Sequence, residues 1–144
     1  MTDQLTLPVA KQIIEAALAK GVELGINPLC VSVLDAGGHL KALERQDGTS
    51  TLRPEIAQGK ARGAISLGLG SRALFNRAKA EPFFIQAMNT LSNGSLVPVP
   101  GGVLIRASDS TIIGAVGITG DTSDNDEACA IAGIEAAGLV ADPG

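Results

Sequence analysis

Residues 29–45 read LCVSVLDAGGHLKALER, two runs suited to extended chain, 29–35 and 39–45, joined by Asp35-Ala36-Gly37-Gly38. Glycine accepts the positive φ that tight hairpin turns need, so the stretch predicts a β-hairpin. Strands joined in this way run antiparallel. A second unit of the same kind follows later, where Val103–Ala107 and Thr111–Ile118 flank Ser108-Asp109-Ser110 with a β-branched, half-buried content. Two hairpins predict one antiparallel sheet of four strands.

Helical patterns surround the hairpins. Thr6 is placed as an N-cap and Pro8 lies in the first turn of a helix whose Val9, Ile13, Ala17 and Leu24 share one side. Gly25 and Asn27-Pro28 end it. A second helix is expected over 53–67, with Ala57, Lys60, Ala61, Ala64 and Ile65 as its stripe, broken by Gly68 to Gly70. Ser71 and Pro82 start two shorter helices. The prolines and glycines of 92–102 exclude a central strand and predict a loop. In the last helix Ser123 and Asp126 fit a capping box, and Glu127, Ile131 and Ile134 share a face at offsets of four and seven. The order α, ββ, α, α, ββ, α predicts an α/β (α+β) protein in which helices cover the apolar faces of an antiparallel sheet. At 144 residues the chain is expected to form a single domain, 1–144.

Composition narrows the function. A formal charge of −4 and the absence of Trp and Tyr argue against a nucleic-acid partner, which would need cationic tracks and stacking platforms. The N-terminus MTDQLTLPVAKQ lacks a basic segment followed by an apolar core, and no run approaches a membrane span. The expectation is a soluble, cytoplasmic protein. Cys30 and Cys129 stand far apart in apolar segments and read as buried thiols, with neither metal-binding nor disulfide spacing. Helices built from Ala, Gly and Cys, such as Ala128–Gly138, predict self-association, since small residues let helices pack closely but add little to a monomer's core.

Several motifs fail on inspection. Gly68-Leu69-Gly70-Ser71-Arg72-Ala73 has the dinucleotide-binding spacing but follows a helix, where that motif needs a strand. The acidic run from Asp121 has Asp126 where a calcium loop needs glycine and Ala132 where it needs glutamate. With one histidine, a hydrolase triad has no local signature, and no metal site is predicted.

Chemistry-bearing candidates remain. Lys60 interrupts a helical stripe of small residues, so its stem either reaches water or presents a cation to a ligand. Arg45 ends the second strand, on the face of Leu43 and His39, where it holds the loop at Asp47 or grips an anion. Glu127 opens the last helix as a cap or as an inward carboxylate. Asp121 precedes that helix as a second candidate for proton exchange. Gly101-Gly102 either offer backbone N–H groups to a ligand or turn the chain, and His39 is a packing residue or a ligand in search of companions. The expectation for the site is convergence of Arg45, Lys60 and Glu127 with Gly101-Gly102 at the rim, either as two cations that fix an anion beside an exchanging carboxylate or as a buried ion cluster in which the three neutralise one another.

These residues carry a resemblance. Val31–Leu40, Arg45-Gln46-Asp47-Gly48, Lys60-Ala61, Pro100-Gly101-Gly102, Ile113–Gly120 and Asp126-Glu127 occur in the order found in the GlcG/HbpS-like family, which includes the C-terminal domain of PduO-type proteins. The resemblance spans Leu5 to Gly138. It implies a profilin-like fold with a five-stranded antiparallel sheet between helices, the fifth strand lying in Leu96–Val99 or at an edge, and it implies homo-oligomers. Some relatives bind or degrade haem through a histidine on the first helix, which this chain lacks; His39 or Met88 would have to replace it as axial ligand. Two functions follow. One is a small-ligand-binding protein, extending to a cofactor-independent enzyme acting on a small anionic metabolite, in which Arg45 and Lys60 grip the anion and Glu127 or Asp121 exchanges a proton. The other is a haem- or cofactor-binding accessory or haem-degrading protein.

Overall fold

The computed structural model describes residues 4–144. Its elements are α1 (Leu7–Leu24), β1 (Cys30–Asp35), β2 (Leu40–Arg45), α2 (Arg53–Leu67), α3 (Ser71–Ala80), α4 (Pro82–Leu91), β3 (Gly102–Arg106), β4 (Ile112–Thr119), α5 (Ser123–Ala136) and β5 (Val140–Asp142). The strands form one sheet in the order β2-β1-β4-β3-β5, with every neighbouring pair antiparallel. Helices cover both of its faces, α1 and α5 on one and α2 on the other. The expected α+β architecture is therefore the one observed.

Local signals set most boundaries. Thr6 caps α1 by accepting from the Val9 N–H, and Gly25 ends it in the left-handed conformation. In the first hairpin the Gly38 N–H donates to the Asp35 carbonyl, and the Asp35 carboxylate accepts from the Gly37 and His39 amides. The fifth strand is the C-terminal segment Val140–Asp142, an edge strand paired with β3; Leu96–Val99 remains loop. Three residues with three pairings leave too little alternation to be read from a pattern.

Two helical faces differ from expectation. On α1 the buried set is Ala10, Ile13, Ile14, Ala17 and Gly21, while Leu24 is exposed. On α5 it is Asp126, Cys129, Ala130, Gly133 and Ile134, and the cap is Thr122, one residue before Ser123. That face is one step back from the one containing Glu127 and Ile131. The small residues of α5 are used within the chain: a Cβ on Gly133 would lie 2.6 Å from the Ile13 carbonyl oxygen of α1. Close packing there is already satisfied by α1, so it gives no separate reason for self-association.

Alternation divides the strand residues between two cores. Val31, Val33, Val103, Ile105, Val116 and Ile118 face α1 and α5 in the larger cluster. Leu34, Leu104 and Ala115 meet Ala61 and Ala64 of α2 in the smaller one. Here the backbones nearly touch, since a Cβ on Gly117 would fall 1.9 Å from the Ala57 carbonyl oxygen. Both cysteines are buried free thiols, as their surroundings predict, and burial pushes each thiol up to about 11. Among the described residues no helix is long and apolar enough to cross a membrane.

Candidate functional site

The chemistry gathers where β1 and β4 begin and end, at the end of the sheet nearest the N-terminus of α2. Cys30 pairs with Arg45 on one side and with Thr119 on the other, so the three share a row across the sheet. Residues paired in this way point to the same face, here the α2 face.

Lys60 lies behind this row, 2% exposed. Its ammonium donates to the Ile118 carbonyl at 2.9 Å and to the Asp126 carboxylate at 3.2 Å. The cation neither reaches water nor faces a ligand; it is enclosed and paired, as in the expected buried ion cluster but with Asp126 as its partner. Gly101 makes that possible, because at φ 122° it has no Cβ, and one placed there would lie 2.8 Å from the Lys60 Nζ. Gly102 sits equally close to the Lys60 carbonyl and donates its N–H to Ser71 Oγ at 2.7 Å. Both glycines thus turn the chain against Lys60; the Gly102 N–H is taken by Ser71, and the Gly101 carbonyl accepts from the Ile118 N–H at 2.9 Å. Burial pushes the Lys60 ammonium below its ordinary range and the Asp126 carboxyl above its own, and the attraction between them opposes both shifts.

The expected convergence of Arg45, Lys60 and Glu127 is not the arrangement found. Lys60 takes Asp126, the residue before Glu127, while Glu127 forms an ion pair with Arg72 at 2.9 Å, joined by Asp124. Successive helix positions lie about 100° apart, so one residue decides which carboxylate turns inward. Asp121 lies outside the pair as a staple: it accepts from the Asn27 amide at 3.1 Å and the Asn125 side chain at 2.8 Å, and its own N–H donates to Asp126. The bonds from Asn125, Thr122 and Asn27 hold its carboxyl below the usual range.

Three cavities bear on function. A groove of about 550 Å³ is lined by Arg45, Gln46 and Asp47 opposite Gly21, Val22 and Ile26, with Asn27 and Pro28 along its edge. Asn27 and Pro28 also line a smaller cavity of about 280 Å³, together with Gly48, Thr49, Ser50, Arg53 and Gly120. A third groove of about 500 Å³, at the hairpin turn, contains His39 with Lys41, Leu5 and Ile113. The His39 ring is exposed, with Nδ1 3.4 Å from the Asp35 carboxylate. Among the described residues no cluster of three or more His, Cys, Asp or Glu side chains could hold a metal ion.

Arg53 is the functional candidate the sequence reading passed over. Its Nε donates to Ser50 Oγ at 3.1 Å and its Nη1 to Thr119 Oγ1 at 2.7 Å. One signal was available: a cation in the first turn of a helix opposes the macrodipole and is unfavourable without a compensating anion.

Comparison with known proteins agrees with this architecture. A family model described as haem degrading protein HbpS-like matches residues 5–135. The chain is 30% identical over 124 residues to an uncharacterized 15.0 kDa protein in the dhaT-dhaS intergenic region of Citrobacter freundii, covering 85% of this chain and 84% of that one. Among solved structures, Klebsiella pneumoniae protein ORFY superposes with a TM-score of 0.83 at 25% identity, covering 96% of this chain and 93% of its own. HbpS gives 0.78 at 25% identity, over 94% and 91% of the two chains. PduOC in complex with haem gives 0.83 at 24% identity, over 94% and 96%, a likeness of fold.

Proposed function

The chain belongs to the HbpS-like family, and we propose that it is a small-ligand-binding member that takes an anionic metabolite in the groove beside Arg45. The observation that carries this is the groove itself. Arg45 ends β2 at a cavity of about 550 Å³, with an apolar wall of Val22 and Ile26 opposite and the Gln46 and Asp47 segment beside it. Arg45 forms no ion pair among the described residues, which leaves a planar, always-charged donor set for a carboxylate. Binding is favoured over turnover by the state of the carboxylates. Asp121 is held ionised by three donors and is a weak base, and Glu127 is committed to Arg72. Calorimetric titration with a panel of small mono- and dicarboxylates tests the reading. Saturable binding that Arg45→Ala weakens about tenfold is expected; binding indifferent to Arg45 would refute it.

A second reading, haem at the His39 groove, rests on one observation: the chain's single imidazole lines a cavity of about 500 Å³ with Leu5 and Ile113 as apolar wall and Lys41 as a cation for propionates. The Asp35 carboxylate lies 3.4 Å from Nδ1, beside the exposed ring. These residues fit one axial position. Haem would supply a redox-active iron there, and His39 would be its anchor. Titration with haemin separates the readings, since a sharp Soret shift lost in His39→Ala and kept in Arg45→Ala belongs to this groove alone.

A further inference from the structure

We propose that the cavity of about 280 Å³ at Arg53 is an oxyanion subsite, holding a phosphate group or a second carboxylate. The argument begins with the guanidinium. It is half-buried at the start of α2, where it gains nothing from the helix, and its two hydrogen bonds go to neutral hydroxyls of Ser50 and Thr119. Among the described residues no carboxylate pairs with it; Glu55, in the same turn, is exposed and forms no ion pair. An arginine has five donors, and among the described residues only two of them find a partner. The hydroxyl bonds aim the fork without neutralising it.

The cavity walls fit the same chemistry. Thr49 and Ser50 add hydroxyls, Gly48 and Gly120 add backbone without side-chain bulk, and no acidic residue lines it. The other cavities with a cation each contain a carboxylate: Asp47 beside Arg45, Asp35 beside Lys41, and Glu55 beside Arg62. Arg62 differs in its partners: it too is bonded to a hydroxyl, that of Ser95, but its Nε goes to the Gly38 carbonyl, where Arg53 Nε goes to a second hydroxyl. The loop carrying Thr49 and Ser50 is itself anchored, because Gln46 exchanges hydrogen bonds with Leu29 at 2.7 and 2.9 Å. The fork therefore meets an anion already in position, which lowers the ordering cost of binding.

The subsite stands on Arg53 alone. That one ligand fills both cavities rests on the reading of the Arg45 groove above, and follows from the Asn27-Pro28 wall they share. Such a ligand carries two anionic groups, either two carboxylates or a carboxylate and a phosphate. Inorganic phosphate, acetate and succinate are the probes, followed by amide chemical shifts and calorimetry on the full chain. Phosphate is expected to shift the Gly48, Ser50 and Gly120 amides saturably. Arg53→Gln should weaken phosphate binding about tenfold or more, Arg53→Lys should restore part of it, and Arg62→Gln should leave it within about twofold. Succinate should bind more tightly than acetate, an advantage that Arg53→Gln abolishes. If Arg53→Gln does not fold, the Arg53→Lys titration and the map of shifted amides decide alone. Phosphate shifts confined to other surfaces, or phosphate affinity equal in wild type and Arg53 variants, would overturn the subsite. Succinate bound no better than acetate, with phosphate still dependent on Arg53, would overturn the shared ligand and keep the subsite. Carboxylate binding that ignores Arg45 while phosphate follows Arg53 would refute the Arg45 groove and leave the subsite standing.

Discussion

The two faces of the sheet are held by different physics. Towards α1 and α5, branched side chains interlock: Ile13, Ile14, Val31, Val33, Ile105, Val116, Ile118 and Ile134 are all 1% exposed or less. Towards α2 the partners are Ala61, Ala64, Ala115 and a few leucines, and cohesion comes from backbones in contact at Gly102 and Gly117. The first face excludes water by volume and leaves no place for polar groups. The second, being thin, encloses Lys60, Ser32, Ser71 and Thr119, with Asp126 reaching Lys60 from the first turn of α5, and the cavity at Arg53 opens at its edge, whereas the Arg45 groove is walled by the end of α1. Most buried polar groups collect towards the face that has the smaller apolar core.

Four measurements would break or sharpen that contrast. The largest effect is expected for Gly117→Ala, whose new Cβ would sit 1.9 Å from the Ala57 carbonyl oxygen, a backbone atom that cannot swing aside. Circular dichroism should show no cooperative native state, and a variant that unfolds like wild type would mean that α2 is not held by backbone contact. Next, Lys60→Met should destabilise by about 3–5 kcal/mol in urea unfolding, because it leaves the Asp126 carboxylate buried and unpaired. The double variant Lys60→Met/Asp126→Leu should recover a large part of that loss. If the single variant costs less than about 1 kcal/mol, the pair is not the closed unit described here.

On the opposite face a single methylene matters less. Ile14→Val should lower stability by only about 0.5–1.5 kcal/mol, the usual effect of removing one buried methylene, and a loss as large as that of Lys60→Met would erase the distinction between the faces. The smallest effect concerns the staple at the edge. Asp121 has its carboxyl held below the ordinary value of 3.8, so the native state binds fewer protons than the unfolded chain as pH falls past that value. Its contribution is present above pH 3.8 and is lost as pH falls through the lower native value. Thermal melts of Asp121→Asn should therefore show a shallower decline on acidification than wild type. Parallel declines would mean the Asn27 contact contributes nothing.

Much of the fold was legible because its signals act over a few residues. Thr6, Pro8 and Gly25 bound α1 by satisfying its end groups, and Asp35 to Gly38 turn the first hairpin. The site was legible only in part. Lys60 stood out as a cation among alanines and glycines, and it is the centre of the buried network. Its partner was misplaced by one residue because α5 is built largely of small side chains, which define no broad apolar stripe, so the packing against α1 chooses the inward face.

By itself, then, the sequence determined the helix caps, the hairpin turns, the alternation that gives the sheet two faces, and the presence of a cation among small residues. Those properties depend on neighbours within one or two turns of chain. Tertiary structure alone decided that Lys60 meets Asp126, 66 positions away, that Arg53 meets Thr119, also 66 positions away, and that Val140–Asp142 closes the sheet edge. Each of those contacts is set by which backbones can approach most closely, and no local pattern records that.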